Sequence, residues 1–180
     1  MKRKPMTRLL IGLLMVLPSL WVGCTKNDDG SFVEPITVYE KVDGTWNMLS
    51  LKMIDETAKA ASIKPDEVVL TDQFGFAGFS ISLNVDASNK PTNFTVSGTA
   101  PALLPTQGYW NLDKSFPAAN GKPVVVNFYS DEAKTQLTNQ VSITSMPGGS
   151  AEMELKLVHT SNGVAYVSYL YRLVLATTTK

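Results

Sequence analysis

The chain has 180 residues, 16 of them basic and 16 acidic, with 44% hydrophobic residues, one cysteine and one histidine. A lone cysteine excludes a disulfide framework, and a lone histidine excludes a three-histidine zinc centre. Basic residues do not outnumber acidic ones, and they are the minority once the basic leader described below is set aside, so nucleic acid, which needs Lys and Arg to displace counterions from phosphates, is not an expected partner.

Lys2, Arg3, Lys4 and Arg8 precede an apolar run, LLIGLLMVLPSLWVGC, that ends at Cys24. A membrane-spanning helix needs roughly 20 consecutive apolar residues. The stretch from Leu9 to Val22 is shorter and is interrupted by Pro18 and Ser19, which fits a removable export signal better than a span. Its end resembles a bacterial lipoprotein signal, in which the peptidase cuts before a cysteine that follows a small residue, here Gly23, and the thiol receives lipid. On that resemblance residues 1–23 are the signal peptide and Cys24 is the lipidation site. The membrane is then a partner through lipid alone, because two acyl chains at about 0.8 kcal/mol per buried methylene give stable anchoring.

Residues 24–35 read as an acidic tether. Thr25-Lys26-Asn27-Asp28-Asp29-Gly30 resembles the signal that sends Bacteroidota-type lipoproteins to the outer face of the outer membrane; read from its residues alone, it is a solvated linker with two charges. The implied location is the cell envelope, at the outer membrane and its surface. Removal of the leader leaves 12 basic against 16 acidic residues, a net charge of −4.

Residues 36–180 are one domain's worth of chain, long enough to bury a core without disulfides. Gly44-Thr45-Trp46 opens the first strand. Ile54 to Ile63, with Asp55 and Glu56 at its start, predicts the one short helix, stopped by Pro65. Phe79-Ser80-Ile81-Ser82-Leu83-Asn84-Val85 alternates strictly between apolar and polar residues, as a strand with one wet face does. A turn-forming segment, Asp86 to Pro91, leads into Phe94-Thr95-Val96. Further strands follow at Gly108 to Leu112, Val124 to Tyr129, Val141 to Met146, Ala151 to Val158 and Val164 to Ala176, separated by Gly-, Asn- or Pro-rich connections such as Pro147-Gly148-Gly149-Ser150 and Ser161-Asn162-Gly163.

Many short antiparallel strands in this length form either a sandwich or a closed barrel. Gly44 and Trp46 in the first strand, with Arg172 in the last, resemble the lipocalin-like barrels, whose first strand begins Gly-X-Trp and whose last supplies an arginine lying across the indole. The expected fold is therefore all-β: an antiparallel, lipocalin-like, up-and-down barrel of about eight strands with a short helix after the first. Gly44, Trp46 and Arg172 are expected to close it, the indole plugging one end and the guanidinium covering its face. The whole layout resembles lipocalin-like lipoproteins of unknown function from Bacteroidota.

Catalysis finds little support. His159 stands at a strand end beside Thr160 and Ser161, and no serine lies in a Gly-X-Ser-X-Gly setting. The adjacent acids Asp55-Glu56, Asp66-Glu67 and Asp131-Glu132 fall in loops or at a helix start and read as solvated turn charges. No Asp-X-Asp ion loop and no phosphate loop occurs. Neither a catalytic residue nor a metal or other cofactor is therefore expected. Asn93-Phe94-Thr95 matches an N-glycosylation acceptor, but the threonine equally suits a strand.

Binding is the leading expectation. Trp110 and Tyr109, among Gly108, Pro105 and Phe116, are placed to stack on a sugar or an apolar ligand, unless Trp110 turns inward with Leu112 as core. Phe76, in Phe74-Gly75-Phe76-Ala77-Gly78-Phe79, is the third candidate. The expected function is a non-catalytic binding module for a small apolar molecule or glycan, held in the barrel's interior or mouth. The alternatives are a structural subunit docking onto another envelope protein, and a carboxylate-dependent hydrolase. An open cavity marks the first, a filled interior the second, and two acids across a cleft the third.

Overall fold

The computed structural model describes residues 33–99 and 104–176. The chain divides into a unit up to Pro35 and a compact unit from Ile36 to Lys180. The leader, Cys24, Asp28 and Asp29 lie outside the described residues.

Among the described residues nine strands form one sheet: β1 (Gly44–Asp55), β2 (Glu67–Val69), β3 (Ser80–Val85), β4 (Pro91–Ser97), β5 (Gln107–Leu112), β6 (Val124–Tyr129), β7 (Leu137–Ser145), β8 (Glu152–Ser161) and β9 (Val164–Leu175). Each strand from β3 to β9 pairs antiparallel with the next, and β9 pairs back onto β1. Eight strands thus close an up-and-down barrel of lipocalin-like layout. The extra strand, β2, pairs with the later half of β1, whose earlier half is taken by β3. Closure leaves the barrel without free edges, the usual hazard of long antiparallel strands.

Alternation decides what faces inward. On β6, Val124, Val126 and Phe128 are buried while the residues between them are half-exposed. The same period brings Trp46, Leu51, Ile81, Leu83, Phe94, Trp110, Leu173 and Tyr171 inside, all almost wholly buried. Aromatic rings pack together inside: Phe94 and Phe128, on either side of β5, have centroids 4.6 Å apart, and Phe79 and Tyr171 lie 5.6 Å apart. Gly108 faces Phe94 across the β4–β5 pair. A Cβ there would come within 2.8 Å of the Phe94 ring and 2.3 Å of the Tyr129 carbonyl oxygen, so only glycine lets β5 close over that ring.

Two short helices depart from the expected layout. The first, α1 (Val38–Val42), precedes β1 and closes one end of the barrel: Val38 and Val42 are fully buried and the Val38 N–H donates to the Ser115 carbonyl. Its start carries a capping box, with Thr37 and Glu40 exchanging side-chain and backbone bonds. The second, α2 (Glu56–Ala60), is shorter than the Ile54–Ile63 expected. Strand β1 continues to Asp55, which instead caps the helix by accepting from the Ala58 N–H at 2.8 Å. This helix lies against the outside of β9, held by Glu56.

Candidate functional site

The expected closure residues separate. Trp46 points inward, is wholly buried, and donates its indole N–H to the Val42 carbonyl at 2.8 Å, which ties β1 to α1. Gly44, at φ +122°, leaves room for Leu175, whose Cδ1 would lie 2.9 Å from a Cβ. Arg172 does not cover the indole. Its neighbours on β9, Tyr171 and Leu173, face the core, so alternation turns the guanidinium outward. There Nε and Nη2 both donate to Glu152 Oε2, at 2.9 and 2.6 Å. The seam closes by backbone pairing of β1 with β9, with Ser50 opposite Arg172.

Of the two readings open for Trp110, the structure has the inward one. It stands opposite Phe128 on the inner face, fully buried, and its indole N–H donates to the Asn84 carbonyl at 2.9 Å. Tyr39 of α1 packs on its ring at 5.8 Å. The Tyr39 hydroxyl donates to Asn111 Oδ1 at 2.5 Å, and burial pushes its pKa up. Trp110 is core, as Leu112 is. Phe76 is likewise buried, in a 3₁₀ turn from Phe76 to Gly78. The exposed ring of that segment is Phe74, 80% accessible, at φ +53° and 5.7 Å from Phe76.

Tyr109 alone of the three expected binding residues stands at a groove. The groove occupies about 400 Å³ on the outer wall where β4 meets β5, lined by Asn93, Thr95, Gln107, Tyr109 and Ser130, with Phe94 and Gly108 at its floor. Asn93 is directly opposite Tyr109, and Tyr109 opposite Tyr129, so the three share the outer face in one row. Thr95 and Gln107 form the next row. The loop after β6 bounds the groove. Asp131 anchors that loop by accepting from the Thr135 and Gln136 N–H groups, which hold its pKa below the usual carboxylate range, the Gln136 bond foremost. Sequence reasoning missed Asn93, Thr95, Gln107 and Ser130. Asn93, Thr95 and Gln107 each carried a signal, as polar residues at alternate positions on strands whose apolar residues face inward, whereas Ser130, in the loop after β6, carried none.

The acids expected to be solvated turn charges are mostly structural acceptors. Asp66 is buried, with both carboxylate oxygens bonded to Lys64 Nζ. Glu56 accepts from Lys156 Nζ at 2.7 Å and from the Ser168 hydroxyl at 2.6 Å; the bond to Lys156, and then that to Ser168, lowers its pKa. His159 sits between two tyrosine rings, edge-on to Tyr169 at 5.9 Å. Among the described residues no three His, Cys, Asp or Glu side chains converge as metal ligands.

No curated protein and no solved structure matches the chain. A model of a domain of unknown function, DUF5004, matches residues 23–174, and the chain belongs to that family.

Proposed function

We propose that the protein is a lipocalin-like lipoprotein of Bacteroidota type, anchored by lipid on Cys24 to the outer membrane and facing outward from it, whose barrel is a non-catalytic binding module. The ligand is a small molecule or glycan taken on the outer wall. The observation that carries this reading is the groove beside Tyr109, where an aromatic side chain and four hydrogen-bonding ones meet in about 400 Å³. Sites of this kind combine a ring with a few placed polar groups. Trp46, Trp110, Phe94, Phe128 and Tyr171 fill the interior, which favours the wall over a deep calyx. The engagement of Glu56, Asp66 and Asp131 in folding contacts weighs against a carboxylate hydrolase.

Docking onto another envelope protein is favoured by the filled interior and by a second observation. The connection between β1 and β3 leaves Ile63, Val68, Val69 and Phe74 exposed, and exposed apolar groups tend to mark interfaces.

Two measurements test the reading. Cys24→Ser should move the protein from detergent-extracted membrane to the soluble fraction, and persistence in the membrane would refute the anchor. Thermal unfolding of the mature chain against a panel of fatty acids, porphyrins and oligosaccharides should show a shift with at least one class. A panel without any shift would leave docking as the better account.

A further inference from the structure

We infer that the ligand of the outer wall is a neutral, polyhydroxylated chain, that is, an uncharged glycan; this rests on the binding reading above and names its chemistry. Strands β3 to β7 together hold 34 residues and not one Asp, Glu, Lys or Arg. At the 18% charge of the whole chain about six would be expected there. Inward positions account for half of this, since a core excludes charge. Outward positions do not, because exposed wall ordinarily carries about 25–35% charged residues.

What replaces charge on that wall is specific. In-register rows run Thr45, Ser82, Thr95, Gln107; then Asn93, Tyr109, Tyr129; then Asn111, Asn127, Gln140. Hydroxyls, amides and two phenol rings thus repeat at the strand spacing of about 4.8 Å. Amides and hydroxyls both donate and accept, as sugar hydroxyls do, and the tyrosines present rings with a polar tip. An anionic ligand needs Arg or Lys, and a cation needs carboxylates. Charge stands only at the margin: Lys134 Nζ donates to the Pro91 carbonyl at 2.7 Å, and Asp131, next to Ser130, is taken up by the Thr135 and Gln136 N–H groups of its own loop. A protein partner calls for apolar anchors at the centre of the patch, where the outward row holds amides. The groove beside Tyr109 lies within this wall, and Asn93, Thr95, Gln107 and Tyr109 of its lining belong to the same rows.

The test is isothermal titration of the full mature chain in a non-glycosidic detergent, with linear neutral hexasaccharides (gluco, xylo and manno series) and an anionic hexagalacturonate. Binding of a neutral hexasaccharide is expected. Tyr109→Ala should weaken it about tenfold or more and Gln107→Ala several-fold, while Arg172→Ala on the opposite wall leaves it unchanged. Neutral binding that ignores both Tyr109→Ala and Gln107→Ala would overturn the inference, and Gln107→Ala serves alone should Tyr109→Ala fail to fold. Binding of hexagalacturonate alone, or of fatty acid alone, would overturn the inference and leave the binding-module reading standing. No binding by any saccharide, with no shift in the thermal panel, would bring down both.

Discussion

Two walls of one barrel are built from equal lengths of chain and differ in charge. Strands β1, β8 and β9 hold 34 residues, of which Lys52, Asp55, Glu152, Glu154, Lys156 and Arg172 are charged. Strands β3 to β7 hold 34 and none. On the charged wall these groups are used in cross-strand and helix contacts: Lys52 with Glu67 at 3.0 Å, Lys156 with Glu56 at 2.7 Å, Arg172 with Glu152 at 2.6 Å. That wall carries α2 and the extra strand. The uncharged wall carries a groove. The inner faces are alike, so the difference is a matter of what each wall meets outside.

The largest expected effects test that likeness of the inner faces. Trp46→Ala under the charged wall and Trp110→Ala under the uncharged one should each lower stability by about 3–5 kcal/mol, as truncation of a buried tryptophan does, because both are fully buried and both donate their indole N–H to a carbonyl. Thermal or urea unfolding measures this. A negligible loss at Trp110 would return it to the surface and blur the two layers.

Gly108→Ala comes next and belongs to the uncharged wall alone. The added methyl must displace the Phe94 ring and the Tyr129 carbonyl, an overpacking worth about 3 kcal/mol. Unfolding should therefore move well below that of Gly163→Ala, where a methyl meets open space and only the positive φ opposes it. Equal melting of the two variants would mean that β5 does not close over Phe94.

Smaller effects arise on the charged wall. Glu56→Gln should cost about 1 kcal/mol, since the carboxylate ties α2 to Lys156 and Ser168. The folded pKa of Glu56 lies below its unfolded value, so this stabilisation is present at neutral pH and fades as pH falls past the ordinary glutamate value of about 4.3. Melting curves of the parent and Glu56→Gln should therefore converge in acid; a gap that widens there would contradict the assignment. Arg172→Ala is the smallest, within about 0.5 kcal/mol, because its ion pair is exposed and screened by solvent.

These contrasts also explain what the sequence made legible. Alternation over Phe79 to Val85 and the turn residues between strands yield the barrel, because period and punctuation are local signals. Trp46 and Gly44 follow for the same reason. Arg172 fails because a resemblance supplied its partner where alternation beside Tyr171 and Leu173 already turned it outward. Trp110 was ambiguous in isolation: an aromatic on a strand suits a mouth or a core, and only its register opposite Phe128 decides. The helix α1 was readable from Thr37 and Glu40, a capping-box spacing followed by a valine that the core buries. The groove was not readable, since Asn93, Gln107 and Ser130 come from three separate stretches of sequence and meet only through the pairing of β4 with β5 and the loop after β6. The missing charge was in plain view throughout.

The claim that binding belongs to the uncharged wall is tested most directly by the NMR footprint of a neutral hexasaccharide on the labelled mature chain. The account predicts shifts confined to outward residues of β4 to β6, with Asn93, Gln107, Tyr109 and Asn127 foremost, and no change at Arg172, Lys52 or the buried Trp110. A footprint centred on Phe74 and β2, or on the wall of β8 and β9, would contradict it.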